Sequence, residues 1–146
     1  MPHSLIDLHM HSTASDGRLT PIELVDRVAA AGVALMALTD HDTLAGLDQA
    51  QQAAGQAGVG FVPGIELSAR WARGVVHIVG LGIDPANPVL VGGVAAQQAR
   101  RHQRAERIGE RLVQRGFDGI VERVHHDVGA GVPGRAPLRR GLPSQG

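Results

Sequence analysis

Three apolar runs in the first 67 residues each carry a histidine or an acid at or near their end, and a helix-forming segment separates each run from the next. The runs are Leu5 to Leu8, which deliver His9; Val33 to Thr39, which deliver Asp40, His41 and Asp42; and Phe61 to Leu67, which carry Glu66. Strand, helix, strand, helix, strand is the alternation of a parallel α/β sheet or barrel. A fourth run, Val75 to Leu81, reads as a further strand and carries His77.

The helix boundaries are legible in the same way. Thr20 can cap, Pro21 suits the first helical position and Glu23 completes a capping box. Ile22, Val25, Val28 and Ala29 form the expected apolar stripe, and Gly32 closes the helix. A second helix is expected from about Leu44 to Ala57, with Asp42 or Thr43 as cap and Gly58 as terminator. From about Val89 to Arg115 the pattern is again helical, and Gly116 ends it. Arg100, Arg101, Arg104, Arg107 and Arg111 decorate this helix. They read either as a solvated face with Glu106 and Glu110 as partners, or as an edge that grips phosphate. After Val124 the text turns rich in Gly, Pro and Arg with no sustained period, which predicts a loop or disorder.

Length and charge narrow the function classes. With 146 residues and 43% hydrophobic content, the chain can bury one core and is too short for several independent domains. Its 14 basic and 14 acidic residues balance, so no bulk field recruits duplex nucleic acid or an anionic membrane surface. There is no cysteine, which excludes disulfides, thiolate metal sites and a cysteine nucleophile, and fits a reducing cytoplasm. No segment approaches the roughly 20 apolar residues of a membrane span, and none reads as an export signal. The expectation is a cytoplasmic chain with no membrane partner.

Parallel α/β folds place their active sites at strand ends, where the loops vary and the strands hold them rigidly. Successive strand ends here supply His9, His11 and Asp16, then Asp40 and His41, then Glu66, with His77 alongside. Residues i and i+2 of an extended backbone share a face, so His9 and His11 can aim at one point. A hydrolytic site with several metals needs neutral imidazoles, bridging carboxylates and open positions, and this inventory meets those needs. Each residue alone also has a structural reading. His77 can be a hydrogen-bonded structural histidine, Asp16 with Gly17 a turn, and Asp40 and Asp42 a turn and a cap. Glu66 is the hardest to dismiss, because an unpaired carboxylate inside an apolar strand is costly.

The segments "IDLHMHSTASDGRLTP", "ALTDHDTLAG", "GIELSA" and "VHIVGLGID" resemble, in order and spacing, the successive motifs of the PHP family, named for polymerase and histidinol phosphatase domains. The likeness is close from Leu5 to about Asp84 and looser through the arginine-bearing helix to Gly116. It points to the branch of small stand-alone phosphoesterases that act on nucleoside 3',5'-bisphosphates or on short RNA from the 5' end.

The resemblance implies a partial distorted β/α barrel of TIM type, with the barrel portion over residues 1–87, the start of a helical insertion over 88–124 and an irregular tail over 125–146. It implies a divalent metal cluster, of manganese or alternatively zinc or iron, held by His9, His11, Asp16, His41, Glu66 and His77. Asp16, His41 and Glu66 would serve catalysis, with Glu66 as the bridging carboxylate. Asp40 would orient an imidazole, and Arg100 or Arg101 would hold the substrate's other phosphate. The implied reaction is hydrolysis of a phosphate monoester of a nucleotide or short oligonucleotide by metal-activated water. Two alternatives accompany it: a remnant that binds metal without turnover, and a histidinol-phosphate phosphatase.

The family pattern continues with a Gly-Arg-x-His segment and then an Asp-x-His pair near the end of the barrel, and neither stands after Asp84 in this sequence. "GRAPLRRG", Gly134 to Gly141, stands near the expected place without a histidine. The tail resembles a GC-rich gene read in another frame from shortly after Val124. His125, His126 and Asp127 are the substitute ligands on offer, on no regular element. An incomplete barrel exposes an edge, which predicts self-association, and a site short of ligands predicts weaker metal binding.

Overall fold

Helix α1 (Pro21–Ala30) starts where the capping box requires. The Thr20 hydroxyl accepts from the Glu23 N–H at 3.3 Å, and the Glu23 carboxylate accepts from the Thr20 N–H at 2.8 Å, so two orphan donors are satisfied reciprocally. Gly32 takes a left-handed φ of 75° just beyond the helix, as a glycine terminator does. Val25 and Val28 are buried as expected, while Ile22 is exposed. The buried stripe is centred on Pro21, Val25 and Val28, and Ile22 lies about 100° round the helix from Pro21.

In a computed structural model, residues 5–72 and 74–116 are described. Among the described residues, four strands form one sheet in the order β1 (Leu5–Met10), β2 (Val33–Leu38), β3 (Gly60–Trp71), β4 (Gly74–Leu81). β1, β2 and β3 run parallel, each joined to the next through a helix. β4 follows β3 without an intervening helix, so it returns antiparallel, with Glu66 opposite Val79 and Ser68 opposite His77.

α2 (Leu47–Ala57) begins three residues later than the sequence predicts, with Gly46 at the cap position and no side-chain cap. Asp42 and Thr43 are unavailable as caps because both are engaged elsewhere. Asp42 has φ 51° and binds Ser68, and the Thr43 hydroxyl accepts from the Ala45 N–H at 3.2 Å. A Cβ on Gly46 would come within 3.1 Å of Leu38 and Pro21, so a glycine lets α2 start close against the sheet. Gly58 closes the helix at φ 70°, as expected.

α1 and α2 pack on the sheet through Met10, Val25, Val28, Met36, Leu38, Leu47, Ala50, Ala54 and Val59. Met36 and Leu38 on β2 have no exposed surface, which makes β2 the central rigid support. At about 1.5–3 kcal/mol for each large apolar side chain buried, this cluster supplies the anchoring of the strand ends that follow it.

The chain divides into two compact units, Met1–Val94 and Ala95–Gly146. α3 (Pro88–Val113) crosses that division, and Gly116 follows it at φ 84°. Arg100 and Arg101 lie on the part of α3 within the second unit. No helix among the described residues is long and apolar enough to cross a membrane. The expected irregular tail over 125–146, "GRAPLRRG", and His125, His126 and Asp127 lie outside the described residues.

Candidate metal centre

β1 extends to Met10, so His9 lies within the strand and His11 just beyond it. Between Asp7 and Met10 the pairing with β2 shifts register, three residues on β1 spanning two on β2. Such a bulge turns a side chain away from simple alternation. The His9 N–H left by this irregularity donates to the Asp7 carboxylate at 3.2 Å.

Glu66 stands midway along β3, just beyond where β1 and β2 end. It is 6% exposed, and His41 forms an isolated parallel bridge with it beyond the end of β2. His9 Nε2 donates to Glu66 Oε2 at 2.7 Å, and His11 Nε2 lies 3.1 Å from the same oxygen. His41 Nδ1 is 3.8 Å from Oε2, and His77 Nδ1 is 3.5 Å from Oε1. One carboxylate therefore faces four imidazoles. Asp16, on the loop after β1, lies 3.6 Å from His11 Nδ1 and 3.8 Å from His41 Nε2. The rings stand in a row, with centroids 5.1 Å apart for His9 and His11, 4.6 Å for His11 and His41, and 4.7 Å for His41 and His77.

The electrostatics follow from this crowding. Burial pushes the Glu66 carboxyl upward, but the hydrogen bond from His9 and the charges of His41, His11 and His9 prevail and hold it below the ordinary carboxylate range. His41 is pushed below the ordinary histidine value, first by burial and further by His11 and His77, against the pull of Glu66 and Asp16. A neutral imidazole is the form that binds a metal.

Three groups have donor atoms within 4.8 Å of one another: His9, His11 and Glu66; His11, Asp16 and His41; and His41, Glu66 and His77. Their shared members, His11, His41 and Glu66, make one continuous set of six donors. Two of its ring nitrogens, Nδ1 of His11 and of His41, are buried without a hydrogen-bond partner. Buried polar atoms in that state are costly unless something absent from the protein satisfies them. Mixed imidazole and carboxylate donors with orphaned nitrogens suit divalent cations of borderline character.

All six residues singled out as ligands in the sequence thus meet in one place. Asp40 is positioned differently from the expectation. It is buried at 2% exposure, and its carboxylate accepts from the Ser12 N–H at 2.7 Å, the Ser12 hydroxyl at 2.6 Å and the Ser15 hydroxyl at 2.5 Å. These donors replace the expected imidazole, so Asp40 acts on His11 and Asp16 by fixing the loop that bears them. Gly17 closes that loop, its N–H donating to Ser12 O at 2.9 Å. The sequence offers Asp42 only as a turn or cap residue and does not single out Ser12, Ser15 or Ser68, because a short polar side chain carries no signature for a partner some 25 residues away.

The PHP domain pattern matches residues 7–139, a span that continues past Val124. A 3',5'-nucleoside bisphosphate phosphatase of Chromobacterium violaceum is 51% identical over 117 residues, which is 80% of this chain and 41% of that protein. A 5'-3' exoribonuclease of Haemophilus influenzae is 44% identical over 131 residues, 82% of this chain and 48% of that one. The chain thus spans less than half the length of these curated relatives. Among solved structures, a protein of Bifidobacterium adolescentis assigned as a metal-dependent phosphoesterase superposes with a TM-score of 0.85 at 32% identity, over 97% of this chain and 50% of that one. The sheet with its flanking helices is accordingly the partial PHP barrel expected from the motifs. With ordered motifs, fold and pattern in agreement, the chain belongs to the PHP domain family.

Proposed function

We propose that this chain is a metal-dependent phosphoesterase acting on phosphate monoesters of nucleotides, either a nucleoside 3',5'-bisphosphate or the 5' end of a short RNA. The observation that carries the reading is the carboxylate of Glu66 facing four imidazoles, two with buried and unpartnered ring nitrogens. The names of the relatives support the substrate class.

In this reading His9, His11, Asp16, His41, Glu66 and His77 would hold divalent cations. Bound cations would neutralise charge on the phosphoryl oxygens and activate water near neutral pH. The protein's part is to keep His41 neutral, to keep Glu66 ionised and to hold Asp16 at the solvent-facing side, where its exposure leaves room for substrate. Manganese is the proposed ion; zinc and iron fit the same donors, while magnesium and calcium prefer oxygen. Arg100 and Arg101 are the proposed grip on a second phosphate, by the forked geometry of the guanidinium. The cysteine-free composition supports a cytoplasmic setting.

The alternative to be separated from this reading is metal binding without turnover. Phosphate release from a nucleoside 3',5'-bisphosphate by the purified chain with Mn²⁺ separates the two. Turnover abolished by both His9→Ala and chelator supports the enzyme. A folded chain that binds Mn²⁺ but releases no phosphate above the His9→Ala background supports the alternative.

A further inference from the structure

Asp42 lies outside the six-donor set, yet it is 1% exposed, ionisable and held at a φ of 51° that a non-glycine residue adopts at a cost. Its surroundings explain both features. Beyond the end of β2 the chain continues beside β3 as a short parallel ladder. The Glu66 N–H donates to Asp40 O at 3.2 Å, and the Asp42 N–H donates to Glu66 O at 3.0 Å. A parallel ladder would next give the Ser68 N–H a backbone carbonyl. At Asp42, however, the chain turns into the left-handed region and departs. The carboxylate takes the vacant place: Ser68 N–H donates to Asp42 Oδ1 at 2.8 Å, and the Ser68 hydroxyl donates to Oδ2 at 2.8 Å.

We propose that Asp42 is a positioning residue whose side chain supplies the last rung of the ladder and thereby fixes Glu66 toward His9, His11, His41 and His77. The proposal rests on the metal-centre reading above and deepens it. Glu66 is pinned at its N–H by Asp40, at its carbonyl by Asp42 and two residues later through Ser68. Without the last rung, β3 beyond Glu66 would be held by β4 alone and could twist away from the end of β2. The two Glu66 oxygens would then no longer meet the four rings together. Backbone shape and side-chain bond are separable here, because glycine tolerates the left-handed φ without the carboxylate, and asparagine tolerates it while keeping a carbonyl oxygen.

The test uses the full chain and three variants, Asp42→Gly, Asp42→Asn and Ser68→Ala, with two readouts. Calorimetric titration with Mn²⁺ is expected to show affinity weakened by about 10- to 100-fold in Asp42→Gly. Asp42→Asn should bind close to the parent, and Ser68→Ala should fall between. The second readout needs no metal. The Glu66 carboxyl carbon resonance and the ring nitrogen resonances of His9 and His11 are expected to move in Asp42→Gly and return in Asp42→Asn. Unchanged resonances and affinity in a folded Asp42→Gly overturn the proposal. If that variant fails to fold, Ser68→Ala decides, and parent-like values in both readouts overturn it equally. A parent chain that binds no Mn²⁺ overturns the metal centre instead, and the resonances still judge Asp42.

Discussion

His9 and Glu66 meet at 2.7 Å, Nε2 to Oε2, across 57 residues of sequence and from strands that are not neighbours in the sheet. β2 lies between β1 and β3, so the contact forms above its end, where the bulge in β1 and the bridge at His41 bring the side chains over. The carboxylate is the hub of the site, and its ionisation ties the site to the stability of the metal-free chain.

That tie predicts an acid-sensitive apo protein. Both shifted groups of the cluster have folded values below their ordinary ones, 6.5 for His41 and 4.5 for Glu66. In each case the unfolded chain binds the proton more readily. The contribution is therefore complete above the ordinary value and is lost as pH falls through the folded one. Urea midpoints measured with chelator should fall as pH drops below 6.5, from His41, and again below 4.5, from Glu66. A midpoint that rises on acidification would contradict the assignment.

Asp40→Ala removes the acceptor of three donors on the loop bearing His11 and Asp16. The buried Ser12 N–H would be left unpaired, at a cost of about 1–3 kcal/mol. Asp40→Asn, which keeps one acceptor oxygen, should lose less. Urea unfolding of the two variants ranks them, and an unperturbed Asp40→Ala would show that the loop holds itself.

Gly17→Ala should damage the same loop from the other side. A Cβ there would fall on the His11 carbonyl, which is backbone and cannot move aside like a flexible side chain. The expected loss is about 1–3 kcal/mol of stability, accompanied by weaker Mn²⁺ binding through His11 and Asp16. Gly55→Ala is the contrasting case. It lies inside α2 with nothing within 4 Å of an added Cβ, so it should stabilise by about 0.5–1 kcal/mol. Similar melting shifts in the two variants would refute the steric argument.

Self-association is expected through the sheet edges. β1 and β4 end the sheet among the described residues, and Leu5, Ile6, Val75, Val76, Ile78 and Val79 are exposed on them. Unpaired edges with apolar side chains template pairing with another chain. Light scattering coupled to gel filtration should give a mass above one chain, reduced by Val76→Lys with Ile78→Lys. A monodisperse monomer would refute it.

The sequence alone determined the alternation of elements and the capping box at Thr20, and it singled out the six side chains that the fold brings together, because period, cap chemistry and residue type are local properties. Tertiary structure decided the rest. The register shift around His9 depends on how β1 pairs with β2. The exposure of Ile22 depends on which arc of α1 meets the sheet. The late start of α2 and the tasks of Asp40 and Asp42 depend on donors far away in sequence. A carboxylate beside a turn serves equally well as cap, ligand or clamp, and only the donors that folding brings to it, Ser12 and Ser15 for one and Ser68 for the other, determine which it becomes.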